Sequence, residues 1–233
     1  MHIWVEELIK QKFNHITLPT SQEITQVNIE GKRYYDTPEG TFPSITNVLS
    51  TGPTPDWLVK WRTKPEAPYI MRMAIMRGSK FHAMVATHLN NQRLGPITDY
   101  GLLAYSLFDL AQPAFDNISN IRGIELPLYN SKWQVAGTAD TICNYSDVPS
   151  IVDWKTTRKI RDDVSSNFWL QSSFYAYSFT QMYGIPIKQV VIVQVSEEGE
   201  LKISKDNPKN HLQELENVIQ VYKSSNGHQP GVH

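Results

Sequence analysis

Residues 24–36, ITQVNIEGKRYYD, alternate apolar and polar about Glu30-Gly31 and predict a β-hairpin. Ser44 follows Pro43 as an N-cap for a short helix, ITNVLS, stopped by Gly52-Pro53. Asp56 or Thr54 caps a second one carrying Trp57, Leu58 and Trp61. Over 69–90 the apolar residues Ile70, Met73, Ala74, Phe81, Met84, Val85 and Leu89 fall close to helical spacing, with Gly78-Ser79 as a point of bending or division. Residues 99–111 read as a further helix, which Pro113 kinks or ends.

The period changes after residue 120. Ile121–Tyr129, Trp133–Tyr145 and Ser150–Trp154 read as three successive strands, the second punctuated by Gly137. Residues 166–183 return to helix and end at Gly184-Ile185-Pro186. Lys188–Val195, rich in Val and Ile, has the composition of a buried strand. Lys202–Ser204 reads as a short edge strand, and Pro208 opens a last helix through about Lys223. Helices, three strands, helix, strand, helix is the order of an α/β sheet core with a helical N-terminal lobe.

The 233 residues suit a single domain, with 1–120 as hairpin and helical lobe and 121–233 as sheet core and C-terminal helix. With 40% hydrophobic residues a sizeable core can be buried, and no run of 18 uncharged apolar residues exists to span a membrane. Cys143 alone excludes a disulfide framework, a four-cysteine zinc site and a cysteine-held iron–sulfur cluster. The N-terminus, MHIWVEELIKQKFNH, has neither secretory nor mitochondrial leader character, so a cytoplasmic location is expected.

A net charge of −1 conceals polarity. Between Leu58 and Lys80, Lys60, Arg62, Lys64, Arg72, Arg77 and Lys80 stand against Glu66 alone. From Glu197 to Glu216, six acids face three lysines. A basic front half and an acidic back half make a polarised molecule.

Chemistry is concentrated in Gly137-Thr-Ala-Asp140 and, 13 residues on, Asp153-Trp-Lys155. Alternation puts Asp153 and Lys155 on one strand face and Trp154 on the other. A hairpin turning between Asn144 and Pro149 sets Asp140 beside Asp153. Two carboxylates are hard oxygen ligands that suit Mg²⁺ or Mn²⁺, and a neighbouring ammonium can stabilise developing charge or orient water. Asp-x-Lys is equally the pattern of a surface pair worth about 0–1 kcal/mol; the apolar Ile151, Val152 and Trp154 around it argue for pairing or metal binding. Gln171 and Tyr175 share a helix face, about 40° apart, although by itself Tyr175 reads as one of several aromatics, with Phe174, Tyr177 and Phe179, that face a core. His82, in the basic segment, is a histidine of either structural or ligand type. Glu125, between Ile124 and Leu126, is either an edge acid facing water or a site residue.

In chain order, His82, Glu125, Gly137-Thr-Ala-Asp140, Asp153-Trp-Lys155 and Gln171-x-x-x-Tyr175 resemble the RecB-like branch of the PD-(D/E)XK nuclease superfamily. Phe42-Pro-Ser-Ile-Thr-Asn-Val-Leu49, Trp61-Arg62 and Gly78-Ser-Lys-Phe-His82 look like segments of the mitochondrial genome maintenance exonuclease group and its phage and bacterial relatives. The resemblance covers about residues 33–195. It implies a restriction-endonuclease-like central mixed sheet flanked by helices, and a DNA exonuclease dependent on Mg²⁺ or Mn²⁺. The substrate implied is single-stranded DNA or DNA with single-stranded ends, in replication, recombination or repair, with a replication or recombination protein as partner. It implies that His82, Asp140, Asp153 and the Trp154 carbonyl hold the cation, that Lys155 activates water, and that Glu125 supports a second metal or a water. It implies that Gln171 and Tyr175 brace the site and contact DNA, that the basic segment tracks the phosphate backbone, and that Trp57, Trp61, Tyr69 or Phe81 stack on splayed bases unless they are core, the expectation for Phe81. Ser44, Thr46, Trp61, Arg62, Arg77, Lys80 and Thr156 complete the substrate contacts. Loss of cleavage with an intact fold is the expectation for Asp153→Asn or Lys155→Ala. With one cysteine and no leader, a phage or bacterial origin is expected. A flap or junction endonuclease on the same fold and an inactive DNA-binding module are the alternatives; a phosphate-loop protein is disfavoured, since no GxxxxGK[ST] or GxGxxG occurs.

Overall fold

The computed structural model describes residues 12–19, 23–52 and 56–226. A three-stranded antiparallel sheet, β1 (Thr25–Ile29), β2 (Lys32–Thr37) and β3 (Gly40–Pro43), opens it. Its first turn has Glu30 and Gly31 at φ 52° and 76°, the left-handed pair that lets two strands reverse in two residues. The third strand is absent from the sequence expectation, because GTFP is too short to show a period. The hydroxyl of Ser44 accepts from Asn47 N at 3.1 Å and caps α1 (Ile45–Leu49); α2 (Asp56–Arg62) follows. Thr54 as a cap, the stop at Pro53, the side chain of Trp57 and the reading of the N-terminus lie outside what is described.

α3 (Ala67–Leu89) is continuous through Gly78-Ser79, where a bend is expected. A glycine in a helix costs about 1 kcal/mol, and burial of Phe81, Met84, Val85 and Leu89 just beyond it outweighs that. The single helix expected over 99–111 is instead α4 (Ile97–Tyr100) and α5 (Leu102–Leu110), divided by Gly101 at φ 86°. Pro113 lies in the first turn of α6 (Gln112–Phe115), where it needs no hydrogen-bond partner.

The main sheet runs β4 (Ile118–Asn130), β5 (Val135–Tyr145), β6 (Val148–Thr157), β7 (Gln189–Ser196) and β8 (Leu201–Asp206) in spatial order, with only β6–β7 parallel. α7 (Ser166–Tyr183) makes the β6-to-β7 crossover that parallel neighbours require. β6 extends past the expected Trp154 to Thr157, and Trp133 lies in the β4–β5 turn, where its N–H donates to Asn130 Oδ1 at 3.0 Å. A 3₁₀ turn (Pro208–His211) precedes α8 (Leu212–Asn226). This is the expected α/β architecture, a mixed sheet flanked by helices with helices at the N-terminal side.

Both sheet faces are covered. Val152, Trp154, Val191, Val193 and Val195 pack with Phe81, Met84 and Phe108 of α3 and α5; Ile151 and Val190 pack with Leu170, Phe174 and Phe179 of α7. Double coverage is why β6 and β7 read as apolar runs. Among the described residues no helix is long and apolar enough to cross a membrane.

Candidate metal and active site

The strand pairing places the site. β5 and β6 pair from Tyr145↔Val148 only as far as Thr141↔Val152. Beyond that point β5 continues with β4 to Val135↔Asn130, and β6 continues with β7 to Thr157↔Ser196. The sheet therefore forks, and Asp140 and Asp153 are the first residues past the crotch. Trp154 N, deprived of a backbone acceptor on β5, donates to Asp140 Oδ2 at 2.9 Å. Because N–H and C=O of a strand residue leave on the same side, the Trp154 carbonyl faces this gap as well.

Glu125 stands opposite Asp140 in the β4–β5 register, between the pairs Ile124↔Thr141 and Leu126↔Ala139. Its φ of 47° is left-handed, a conformation that costs a non-glycine residue about 1–3 kcal/mol and is found at functional sites. From the other side, α3 delivers His82: the preceding Phe81 is buried, with its ring 6.4 Å from that of Trp154. His82 Nδ1 lies 3.7 Å from Glu125 Oε1 and 3.6 Å from Asp140 Oδ1. Ligand atoms of all three residues lie within 4.8 Å of one another, a group able to hold a metal ion.

Asp153 lies outside that triad. It is 1% exposed, and Lys155 Nζ sits 3.0 Å from its Oδ1 and 2.8 Å from its Oδ2. Only the Oδ1 contact has hydrogen-bond geometry, so Oδ2 is a buried carboxylate oxygen without a hydrogen bond. Lys155 also donates to Gln171 Oε1 at 3.2 Å, Gln171 Nε2 donates to the Tyr175 hydroxyl at 3.0 Å, and the Phe168 ring lies 5.0 Å from the ammonium. One imidazole, two carboxylates in the triad and a third carboxylate oxygen, ion-paired with Lys155, form a donor set able to hold a divalent cation.

Electrostatics couple these groups. Burial alone would lower the His82 pKa from 6.5, but Asp140 and Glu125 outweigh it and push it up to about 9. Burial raises Asp153 to about 6 against the pull of Lys155, with Asp140 adding to the rise. Lys155 is raised despite burial, because Asp153 and Asp140 hold its proton. Folded His82 thus binds its proton more tightly than the unfolded chain. Its contribution to stability is whole below pH 6.5 and lost as pH rises through about 9. In EDTA, the melting temperature is expected to fall by several degrees over that window, at about 2–4 °C per kcal/mol for a chain of this size, and to fall less in His82→Gln. Calorimetry at stepped pH measures this.

Gly137 explains how Tyr175 reaches the site. A Cβ at 137 would sit 2.8 Å from Tyr175 Cε1 and 3.1 Å from Ile45 Cγ2. Gly137→Ala is expected to cost about 1–3 kcal/mol in urea unfolding by overpacking, and to displace Tyr175 from Gln171.

The remaining candidates separate. Ser44 is buried and its hydroxyl is engaged with Asn47 N and Thr46 Oγ1, which gives it a capping role in place of an exposed contact. Thr46 and Arg62 are exposed and Trp61 half-buried. Tyr69 is 60% exposed, whereas Phe81 belongs to the core. Arg77 pairs with Glu197 and donates through Nε to Thr156 Oγ1 at 3.2 Å, so both of these candidates brace α3 against the sheet. Lys80 is half-buried on the same helix. Three neighbours escaped the sequence reading: Tyr35, whose hydroxyl is 3.1 Å from Thr138 Oγ1, Phe168 under Lys155, and Gln194. Only Gln194 carried a signal, a lone amide in the apolar run of β7.

The class so defined is a mixed α/β protein whose forked sheet carries a histidine–carboxylate cluster beside a buried aspartate–lysine pair. The chain is similar to the human Mitochondrial genome maintenance exonuclease 1, 24% identical over 93 residues, which are 40% of this chain and 27% of that protein. It therefore aligns with only about a quarter of that relative's length. A solved structure of a provisionally named exonuclease from Eubacterium rectale superposes with a TM-score of 0.48 and 14% identity over 67% of this chain and 69% of that one. No family model matches.

Proposed function

We propose that this chain is a divalent-metal-dependent nuclease: a DNA exonuclease, acting on single-stranded ends, of the RecB-like PD-(D/E)XK type, built as one nuclease domain. The observation that carries the reading is the fork, which gathers His82, Glu125 and Asp140 within 4.8 Å and sets the Asp153–Lys155 pair beside them. The likeness to a human exonuclease supports it.

His82, Glu125, Asp140, Asp153 and the Trp154 carbonyl would hold Mg²⁺ or Mn²⁺, whose bound form polarises a phosphate oxygen and lowers the pKa of water. Lys155 Nζ orients the attacking water toward phosphorus and offers positive charge to the oxyanion that develops. The attacking water releases a proton to solvent as the new P–O bond forms, the bond to the leaving sugar oxygen breaks, and that oxygen takes a proton from solvent. Gln171, fixed by Tyr175, holds the ammonium in place. Lys80 and Arg62 face the phosphate backbone, and Tyr69 and Trp61 offer rings to unpaired bases.

The test uses end-labelled linear and closed-circular single-stranded DNA of one sequence, with Mg²⁺ or EDTA, for wild type and Asp140→Asn. Degradation of the linear strand alone, dependent on Mg²⁺ and lost in the variant, is the expected result. Cutting of the circle would replace the exonuclease by an endonuclease. No metal-dependent cleavage of single-stranded, duplex or flap DNA would overturn the reading.

A further inference from the structure

Gln194 is the one polar residue between Val190 and Val195 of β7, and it is 6% exposed. Its Oε1 is buried and accepts no hydrogen bond. The β6–β7 register sets Gln194 level with Lys155, on the sheet face that also carries Asp153. On its other side the register sets it level with Lys202 of β8, whose ammonium donates to the backbone carbonyls of Arg161 and Asp162. Lys202 is thus engaged, and Lys155 is the neighbouring cation with a donor to move. A buried acceptor left without a donor is unfavourable, and a second arrangement in which it is used would relieve that cost.

The cation site supplies that arrangement. As it stands, Asp153 is held by Lys155 and lies outside the His82–Glu125–Asp140 triad. If Asp153 turns toward a bound cation, Lys155 keeps Gln171 and the Phe168 face but loses its carboxylate. The ammonium, only about one-fifth exposed, then gains from another acceptor within reach. We propose that Gln194 is a positioning residue for the cation site, whose Oε1 receives Lys155 when Asp153 turns to the metal. This rests on the metal-dependent reading above. Gln194 thereby lowers the cost of freeing Asp153 and keeps the ammonium beside the cation site.

Mn²⁺ affinity, measured by calorimetric titration and by the rise in melting temperature, tests the exchange in wild type, Gln194→Met and Gln194→Glu. Gln194→Met removes the acceptor at similar volume and is expected to melt in EDTA at or above the wild-type temperature. Its Mn²⁺ affinity is expected to fall about tenfold, the equivalent of one well-made hydrogen bond, while Gln194→Glu, which keeps an acceptor, stays within about threefold of wild type. A residue that merely filled space would leave both the EDTA melting temperature and the affinity unchanged in Gln194→Met. Wild-type affinity in Gln194→Met, or equal losses in Met and Glu, would overturn the role of Gln194 while the metal site stands. A wild type with no Mn²⁺ response would overturn the metal reading itself, and the exchange with it.

Discussion

Replacing Lys155 by Met is expected to destabilise the protein by about 3–5 kcal/mol near neutral pH, because it leaves a buried carboxylate unpaired. Asp153 is within the sheet, and the ammonium is its hydrogen-bond donor. The cost should shrink as pH falls, since Asp153, raised to about 6 even with Lys155 beside it, is raised further without it and takes a proton. Asp153→Asn/Lys155→Met removes both charges and is expected to recover most of the stability. In urea unfolding, a single variant within about 1 kcal/mol of wild type would show that water reaches the pair. Cleavage separates the two roles of Lys155. The double variant, though stable, is expected to have lost activity by at least about a hundredfold, the range for loss of one group preorganised toward the developing charge. Recovery of activity together with stability would confine Lys155 to a structural role.

Trp154→Ala carries the second large effect. The ring is fully buried, 5.0 Å from Phe115 and 6.4 Å from Phe81, and Nε1 donates to the buried Thr141 hydroxyl at 3.1 Å. Emptying such a volume costs about 3–5 kcal/mol, and the abandoned hydroxyl adds about 1–3 kcal/mol. Trp154→Phe keeps most of the volume and is expected to lose chiefly the hydrogen bond. The damage should extend to the site, because Phe81 rests on Trp154 and the next residue is His82. Hydrogen exchange of α3 residues 78–85 is therefore expected to accelerate in Trp154→Ala and much less in Trp154→Phe. Unchanged protection in the alanine variant would show that other contacts hold the helix.

The parts of this site legible in the sequence are those within a short loop of one another. Asp140 and Asp153 lie on consecutive strands, so alternation and one turn sufficed to bring them together. Asp153-x-Lys155 and Gln171-x-x-x-Tyr175 obey the repeat of a single element. Their burial was legible too, in the apolar neighbours Ile151, Val152 and Trp154. The bend expected at Gly78-Ser79 did not form, because burial of Phe81 and Met84 outweighs a glycine's local preference. Gly101 divided an apparently continuous helix, because its φ of 86° ends one helix and starts another without any break in apolar spacing. Glu125 read as an ordinary strand residue; nothing in Ile124-Glu125-Leu126 announces a left-handed backbone.

By itself, then, the sequence determined the α/β order of elements, the shared strand face of Asp153 and Lys155, and the residue types from which a cation site is built, all consequences of local periodicity and of short loops. The tertiary structure decided which donors meet. It set His82 against Glu125 and Asp140, gave Asp153 to Lys155, tied Arg77 to Glu197 and Thr156, and left Gln194 level with Lys155. The physical reason is that these pairings depend on where β5 and β6 part and on how α3 rests on Trp154. Both are settled by packing between residues far apart in the chain, and spacing along the chain does not report them.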